Sequence, residues 1–419
     1  MAEIGHTTSE TLAEDVTTST SFAALGVSGE HDLLGSNLDG SSEYILIVRA
    51  GQGGNDTSKT ESYMNVTESG VGALGESESR VQPRRSTAMG GLIYGFIDKV
   101  TTASSPNDYQ IQAKSDGAME AHVAGSWLAM IKLGDLGAND WKYNAVDTND
   151  SSISTSFETG ANVNITAGDW LIIATTRWLV QSASDSVKFR IDVDGNNLME
   201  TIHEGESTDE VRCLMTGTVY QAAGDVTAAV EYASSGTSPT LSSSRIFAIR
   251  LDSFEDHKIE KFAKDSGTES VSIDAHDTNY TAETLSGQSS TNGSNRDWAV
   301  FAGVTHDTGG SQARLMMAID QAGEQIIGKT GTGGSDQPEV LPHGVGDEIA
   351  SIIFGQESNH PDNTNIDLDI VVSDNDSPGN GVIDEAFMAA FTWELASASD
   401  AIDRASTRGV MRGVGRGVG

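Results

Sequence analysis

The chain has 419 residues, a formal net charge of −36 at pH 7 and a single cysteine. The acidic charge argues against nucleic acid as a main partner, because phosphate repels an acidic surface. One cysteine excludes an intrachain disulfide and any multi-cysteine metal site. No apolar run approaches the roughly 18 residues of a membrane span, and the polar start, MAEIGHTTSE, lacks the apolar core of a signal peptide. We therefore expect no membrane insertion and no export through a recognisable N-terminal signal.

The excess of carboxylates fits two interpretations. In the first, the chain is an ordinary acidic protein that its charge keeps monodisperse. In the second, it comes from a saline environment, where screening makes self-repulsion weak. The composition leaves both open.

The first β unit is predicted over residues 1–136. Residues 1–42 are polar and rich in Thr and Ser, with one apolar patch from Phe22 to Val27. They are interpreted as lead-in strands, an anchor to another protein, or both. The opening strand EYILIVRA begins at Glu43, a middle strand ends in LIYG, and WLAMIKL closes the unit at Leu133.

The second unit, residues 137–254, shows the pattern most clearly. It opens with GDWLIIATTRWLV, continues through KFRIDVDG and RCLMTGTVY, and closes with SRIFAIRL. Alternation of apolar and polar residues between turn residues is typical of half-buried antiparallel strands. Cys213 lies in one of these strands and is expected to be a small buried side chain.

The third unit, residues 255–398, repeats the order with DWAVFAGV, IIFG and FTWEL. The opening aromatic residue and the later glycine are about 51, 47 and 57 residues apart in the three units. The spacing drifts only where loops are expected, which indicates copies of one β unit. The copies are expected to superimpose with Gly95, Gly217 and Gly355 at equivalent points.

Residues 399–419 form a flexible Arg/Gly-rich tail in this interpretation. Arg404, Arg408, Arg412 and Arg416 recur every four residues, and no acid follows Asp403. The intervening glycines oppose a helix. The tail is either disordered or a basic interaction arm that becomes ordered on an acidic neighbouring subunit.

Two motifs resemble ligand-binding sequence patterns. GEQIIGKT, from Gly323 to Thr330, matches a phosphate-binding loop, but the following GTGGSDQPEV cannot begin the helix that such a loop requires. A hairpin and its loop are expected instead. IDVDGNN fails the calcium-loop spacing and predicts a hairpin turn at Asp194–Gly195.

One acidic cluster carries a weak calcium hypothesis. Asp367 and Asp369 would share the outward face of a strand, and Asp374 and Asp376 follow them. Carboxylate oxygens are the ligands that calcium prefers. No His pair has ligand spacing, and neither a Ser-His-Asp pattern nor a catalytic carboxylate pair stands out, so no catalytic residue and no other cofactor is predicted.

The segments TAGDWLIIATT, IDVDG and SRIFAIRL resemble tandem β-sandwich repeats in structural proteins of tailed viruses, which form head decorations, turrets, head fibres and tail fibres. The first copy departs from this pattern, with TESG in place of VDG. The resemblance implies an all-β chain of three tandem jelly-roll-like antiparallel β-sandwich domains, exposed on a virion.

The function expected from this resemblance is that of a non-enzymatic virion surface protein. We expect a homo-oligomer that contacts other virion proteins of the capsid or tail. The alternatives are a tail fibre or receptor-binding protein that contacts host surface glycans, and a carbohydrate-binding adhesin or polysaccharide-degrading enzyme. An enzyme would need an acidic or aromatic cleft. The unusual aromatic residues, Trp141 and Trp178, are expected in core or rim packing.

Overall fold

The computed structural model describes residues 4–26, 30–54, 61–81, 92–116, 120–182, 185–204, 210–235, 239–263, 271–273, 280–288, 295–307, 315–328, 348–361, 364–374 and 381–396. Within these ranges the chain forms 27 strands and three short 3-10 helices, and no α-helix. The predicted all-β fold is confirmed. None of the described segments is a helix long and apolar enough to cross a membrane.

The strands fall into three consecutive sets, called units 1, 2 and 3. Unit 1 contains β1 (His6–Thr17), β2 (Ala23–Ala24), β3 (Asp32–Leu33), β4 (Glu43–Gly54), β5 (Ser62–Glu68), β6 (Gly72–Ala73), β7 (Ser79–Val81), β8 (Leu92–Thr101), β9 (Tyr109–Ser115) and β10 (Ala121–Lys132). Unit 2 contains β11 (Trp141–Asp150), β12 (Glu158–Ile165), β13 (Gly168–Val180), β14 (Ser186–Val193), β15 (Asn196–Glu204), β16 (Glu210–Ala222), β17 (Val226–Ser235) and β18 (Thr240–Arg250). Unit 3 contains β19 (His257–Ala263), β20 (Val271–Ile273), β21 (Tyr280–Gln288), β22 (Arg296–Asp307), β23 (Leu315–Gln321), β24 (Glu324–Gly328), β25 (Glu348–His360), β26 (Asn365–Asp374) and β27 (Gly381–Thr392).

Each unit contains two antiparallel sheets with a recurring strand order. One sheet, called the inner sheet, runs β1-β10-β4-β8 in unit 1, β11-β18-β13-β16 in unit 2 and β19-β27-β22-β25 in unit 3. The second sheet runs β2-β9-β5-β7, β12-β17-β14-β15 and β21-β26-β23-β24. Two four-stranded sheets in this order form a jelly-roll sandwich. A single pairing of Arg80 with Val211 also joins β7 of unit 1 to β16 of unit 2.

The strand register repeats as well as the strand order. The aromatic residue near the start of each opening strand pairs with the last strand at the same step: Tyr44 with Lys132, Trp170 with Arg250, and Trp298 with Thr392. The first residue of each unit's first strand pairs one step earlier on that last strand: His6 with Ile131, Trp141 with Ile249, and His257 with Phe391. The three copies inferred from the sequence thus share one register at this end of the inner sheet.

The glycine equivalence is only partly correct. Gly95, Gly217 and Gly355 do lie on the corresponding strand, but they pair five, three and two residues beyond the opening aromatic residue. They also face different ways. A Cβ at Gly95 or Gly217 would meet a neighbouring unit, whereas a Cβ at Gly355 would meet Ile327 inside its own sandwich. Strand length does not account for this difference, because β8 has 10 residues whereas β16 and β25 both have 13. A shared letter in the sequence therefore does not mark a shared position.

The opening strands are buried on both faces, not on one. In β13, Trp170 and Ile172 pack inside unit 2, while Leu171 and Ile173 belong to a different apolar cluster. In β4, Leu46 packs inside unit 1 and its neighbours join that same second cluster. Burial on both faces explains why these strands read as nearly continuous apolar runs in the sequence.

The second cluster is a hydrophobic core that all three units share. Its members from the inner sheets of units 1, 2 and 3 include Ile45, Ile47, Trp127, Ile131, Leu171, Ile173, Met215, Phe247, Ile249, Phe301, Ile352, Phe387 and Phe391. The three sandwiches are therefore not independent domains joined only by linkers, because their inner sheets bury one another.

The inner sheets meet in a closed ring. Gly95 of β8 approaches Met215 of unit 2, and Gly217 of β16 approaches Ile352 and Phe387 of unit 3. Unit 3 returns to unit 1, where Oε1 of Gln356 in β25 lies 3.2 Å from Nε2 of His6 in β1. Each unit thus contacts both of the others around one core.

Two arginines, Arg245 and Arg177, reinforce the contact between units 1 and 2. Arg245 of β18 donates to the carbonyl oxygen of Gly75 at 3.0 Å and lies over the ring of Phe96. Arg177 of β13 bonds the Glu76 carboxylate at 2.7 Å. Charge-assisted bonds of this kind fix orientation as well as add energy.

Candidate functional site

The units meet at junctions where the first strand of one unit begins beside the inner sheet of another. His257, the first residue of β19, lies beside Asp169 of unit 2. His6, the first residue of β1, lies beside Gln356 of unit 3. At each junction, polar side chains from two different units come into contact.

The junction between units 2 and 3 gathers two carboxylates and an imidazole. The Nε2 atom of His257 is 2.9 Å from Oδ2 of Asp169 and 3.6 Å from Oδ1 of Asp252. The side chains of His257, Asp169 and Asp252 are 7%, 3% and 16% exposed. Among the described residues this is the one group of three or more His, Cys, Asp or Glu whose ligand atoms all lie within 4.8 Å of one another.

Hydrogen bonds hold both carboxylates of this cluster in place. The Gln221 side-chain amide donates to Oδ1 of Asp169 at 2.9 Å. The Asp169 backbone N–H donates to Oδ2 of Asp252 at 2.9 Å, and Nε of Arg250 lies 3.6 Å from the same oxygen. Each carboxylate therefore has one oxygen held by a donor while its other oxygen faces the imidazole.

The junction between units 3 and 1 has related groups but a different chemistry. Gln356 again donates to an aspartate at the start of an opening strand, Asp297, at 2.9 Å. Its Oε1 lies 3.2 Å from His6 Nε2, and the His6 ring stacks on Trp393 at 3.9 Å. A groove of about 430 Å³ runs along this junction past Glu10. None of these contacts brings a carboxylate to the His6 imidazole, whereas two carboxylates approach the imidazole of His257.

At the corresponding position of unit 1, the start of its opening strand β4, the structure has an ordinary surface ion pair. Glu43, at the start of β4, bonds Lys99 at 2.9 Å, and both side chains are at least a third exposed. Exposed pairs of this kind contribute about 0.2–1 kcal/mol.

The proposed calcium ligands do not all converge. Asp367 and Asp369 point outward from β26, as expected, between the buried residues Ile366, Leu368 and Ile370. Asp374 ends the same strand, roughly 23 Å from Asp367 at about 3.3 Å per residue, so one ion cannot contact both. Asp376 lies outside the described residues. A calcium ion at Asp367 and Asp369 stays a prediction.

The two motifs interpreted as hairpins are hairpins. Ala322 and Gly323 have φ values of 54° and 92° between β23 and β24, and Asp194 and Gly195 have values of 55° and 81° between β14 and β15. Two consecutive positive φ angles are typical of a type I′ turn. Lys329 and Thr330 lie outside the described residues, as do the tail arginines Arg404, Arg408, Arg412 and Arg416.

One Ser-His-Asp arrangement escaped the sequence analysis. His31 Nδ1 is 2.7 Å from the Ser126 hydroxyl, and its Nε2 is 2.8 Å from Asp15. Burial lowers the pKa of His31 against the opposing effect of Asp15, which favours the neutral imidazole. Ser126 is fully buried, so its hydroxyl cannot reach a substrate from solvent and instead fastens the residue-31 loop to β10.

The aromatic residues considered for a cleft belong to packing. Trp178 is fully buried, donates to Thr176 and meets Tyr232 edge-on at 6.0 Å. Trp141 is partly buried against the shared core. Both positions agree with the core or rim packing expected from the sequence.

Cys213 is 2% exposed and packs between units 1 and 2, where burial raises the pKa of its thiol to about 12. Since the thiolate is the reactive form, we expect labelling by a thiol reagent at pH 8 to be at least about 100-fold slower in the native protein than in urea. Labelling at equal rates would contradict this placement.

No family model and no curated protein matches this chain. Solved structures that align with it include dimeric latent PorU from Porphyromonas gingivalis, at 11% identity and a TM-score of 0.22, over 79% of this chain and 32% of that one. The chain thus spans about a third of PorU. A structure described as the triple jelly roll fold and turret assembly in an archaeal virus aligns at 9% identity and a TM-score of 0.19, over 91% of this chain and 92% of that one. Infectious bursal disease virus, Gx strain, aligns at 9% identity and a TM-score of 0.22, over 96% and 84%. These TM-scores are too low for any of the alignments to support an inference about this chain.

Proposed function

We propose that this chain is a non-enzymatic structural subunit exposed on the surface of a virion, as a capsid decoration, turret or head fibre. The observation that carries the proposal is the closed ring of three jelly-roll units around one core. Such a block combines three related sandwiches in one body. Symmetric assemblies are built from repeated interfaces, and a block with internal threefold character suits them. The resemblance of the sequence to tailed-virus repeats supports the virion as the assembly.

The described groove supports a non-enzymatic role. Of the residues that line it, Glu10 is the one carboxylate, and its pKa is raised by burial despite hydrogen bonds from Gly328 and Trp127. Glycoside hydrolysis generally needs two carboxyl groups across the scissile bond. We therefore expect no polysaccharide hydrolysis in this groove.

The acidic surface fits an exposed position in a salty medium. Of the large apolar side chains in the described residues, Val16 and Val71 are the exposed ones. Contacts between copies of this surface therefore depend on charge more than on apolar burial. Identical acidic subunits repel one another, and screening shortens the range of that repulsion from about 10 Å at 0.1 M salt to about 3 Å at 1 M.

We expect the melting temperature to rise by roughly 5 °C between 0.05 M and 1 M sodium chloride, because salt screens repulsion among the excess carboxylates. Differential scanning fluorimetry measures the shift. Potassium chloride serves as a control for a specific sodium effect. A melting temperature that does not change with salt would remove the saline interpretation.

The proposed partners are further copies of this chain and other virion proteins. The arginines of residues 399–419 would dock on acidic neighbours through bidentate bonds to carboxylates. Truncation after Asp403 should leave the melting temperature unchanged and weaken self-association in analytical ultracentrifugation. Self-association of wild-type strength in the truncated protein would remove the tail from the proposal.

Quantitative mass spectrometry of purified virus particles from the source of this sequence tests the function. A structural subunit should be present in a fixed ratio of tens of copies or more per particle, and antibody labelling should place it on the head. Labelling confined to the tail would favour the tail-fibre alternative. Absence from the particles, with hydrolysis of a polysaccharide, would overturn the proposal.

A further inference from the structure

The cluster at the junction of units 2 and 3 has the composition of a transition-metal site. It offers one imidazole nitrogen, His257 Nε2, and one oxygen from each of two carboxylates, Asp169 and Asp252. Imidazole and carboxylate together suit Zn²⁺ and Mn²⁺ better than Ca²⁺ or Mg²⁺, which prefer oxygen ligands alone.

The distances are close to those that a bound ion would need. Three ligands at about 2.0–2.2 Å from a tetrahedral zinc ion lie roughly 3.3 Å from one another. The observed separations from His257 Nε2 are 2.9 Å to Asp169 and 3.6 Å to Asp252. The two carboxylate ligand atoms lie within 4.8 Å of each other, so movements of about 1 Å or less of each carboxylate would bring all three atoms onto one ion.

The supporting hydrogen bonds are those of a built site. Metal-bound carboxylates are usually held by an outer donor that orients them. Gln221 supplies this bond to the far oxygen of Asp169, and the Asp169 N–H supplies it to the far oxygen of Asp252. The bonds leave Asp169 Oδ2 and Asp252 Oδ1 facing the imidazole.

The imidazole of the cluster is buried. His257 is more than nine-tenths buried with its Nε2 turned into the cluster, and its Nδ1 has no partner in the described part of the chain. The imidazole lies beside two largely buried carboxylates, and Nε of Arg250 lies 3.6 Å from Oδ2 of Asp252. A divalent cation at the meeting point of the three ligand atoms would interact favourably with both carboxylates.

We propose that Asp169, Asp252 and His257 bind one divalent transition-metal ion, with Zn²⁺ the best fit, and that the ion fastens unit 3 to unit 2. Asp169 belongs to unit 2, His257 opens unit 3, and Asp252 lies in the connection between them. The ion therefore bridges the point where the chain crosses from one unit to the next. An ion bound only by the folded state raises stability in proportion to the logarithm of its concentration relative to the dissociation constant.

The chain carries its own control for this proposal. At the junction of units 3 and 1, His6 and Gln356 take positions like those of His257 and Gln221, but the His6 ring stacks on Trp393. Removal of the His6 imidazole therefore tests for general histidine binding, whereas removal of the His257 imidazole tests the proposed site.

Isothermal titration of the EDTA-treated full chain with zinc chloride measures the binding. We expect one equivalent of Zn²⁺ to bind, an affinity at least about 100-fold lower in His257→Gln and in Asp252→Asn, and an affinity about tenfold lower in Gln221→Ala. His6→Gln should bind as the wild type does. Titration with Mg²⁺ should give no comparable heat. Zinc binding that is absent from the wild type, or unchanged in both His257→Gln and Asp252→Asn, would overturn the proposal.

Visible absorption of Co²⁺ bound to the wild-type protein tests the site without any substitution, so the test remains valid if a variant fails to fold. Co²⁺ in a four-coordinate site with an imidazole ligand should give strong visible bands on the wild-type protein, and Zn²⁺ should displace them at one equivalent. A weak spectrum of six-coordinate, water-like Co²⁺ on the folded wild type would overturn the site without any substitution.

Discussion

Gly95→Ala is expected to destabilise the protein by about 3 kcal/mol, at the upper end of the range for overpacking a core. An added Cβ would lie 2.2 Å from the Cβ of Met215 and 3.0 Å from its backbone nitrogen. These atoms cannot swing away as the tip of a flexible side chain could. The inner sheets of units 1 and 2 would have to separate, so urea unfolding should shift to lower denaturant.

Two variants serve as controls for Gly95→Ala. A Cβ added at Gly224 would meet no heavy atom within 4 Å, and the φ of Gly224 is not positive, so Gly224→Ala should change stability by no more than about 0.5 kcal/mol. Met215→Gly removes the facing Cβ, and the double variant should be more stable than the sum of the two single changes predicts. Strict additivity would show that the two sheets do not meet at this point.

Phe391→Ala is expected to cost about 3–5 kcal/mol, because it deletes a fully buried aromatic ring. Phe391 lies in the shared core with ring centroids 4.4 Å from Phe254, 6.0 Å from Phe301 and 5.2 Å from Trp393. The cavity would adjoin unit 3 and the connection from unit 2. Since the core is common, tryptophan fluorescence and far-UV circular dichroism should report one transition, shifted together.

Phe157→Ala is the matched control for Phe391→Ala. Phe157 is only partly buried and packs under the Arg190 guanidinium at 3.6 Å. We expect a loss of about 1 kcal/mol, the scale of a cation–π contact at a partly exposed site. Equal losses for the two variants would mean that Phe391 is not in a tightly packed core.

The fold class and the repeat could be predicted from the sequence because strand periodicity and turn residues are local signals. The opening strands at Tyr44, Trp170 and Trp298 were correctly aligned, and the structure gives them one register. The glycine alignment was wrong in detail, because the three glycines pair at different steps along the opening strands and a single small residue carries little positional information.

The sequence carries a signal for the shared core. Half-buried strands alternate, whereas EYILIVRA, DWLIIATT and SRIFAIRL are nearly continuous in apolar residues. Continuous runs are typical of strands that are covered on both faces. What the sequence could not supply is which surface covers the second face, because the pairing of inner sheets depends on the three-dimensional arrangement of the units.

The junction cluster could not be found by spacing. His257 is 88 residues from Asp169, and no local motif joins them. The same holds for Ser126 and His31, which are 95 residues apart. In a β-sandwich protein, side chains that meet come from distant strands, so a search for ligand spacing on one element misses them.

Small-angle X-ray scattering of the full chain tests the central claim, the closed ring of three units around one core. A compact chain of 419 residues should have a radius of gyration of about 22 Å by the scaling for compact domains. Three sandwiches of about 14 Å each, arranged in a line by the same scaling, would give roughly 30 Å or more. A value near 22 Å with a single-peaked distance distribution is the predicted result, and an elongated distribution with a radius above about 30 Å would contradict the shared core.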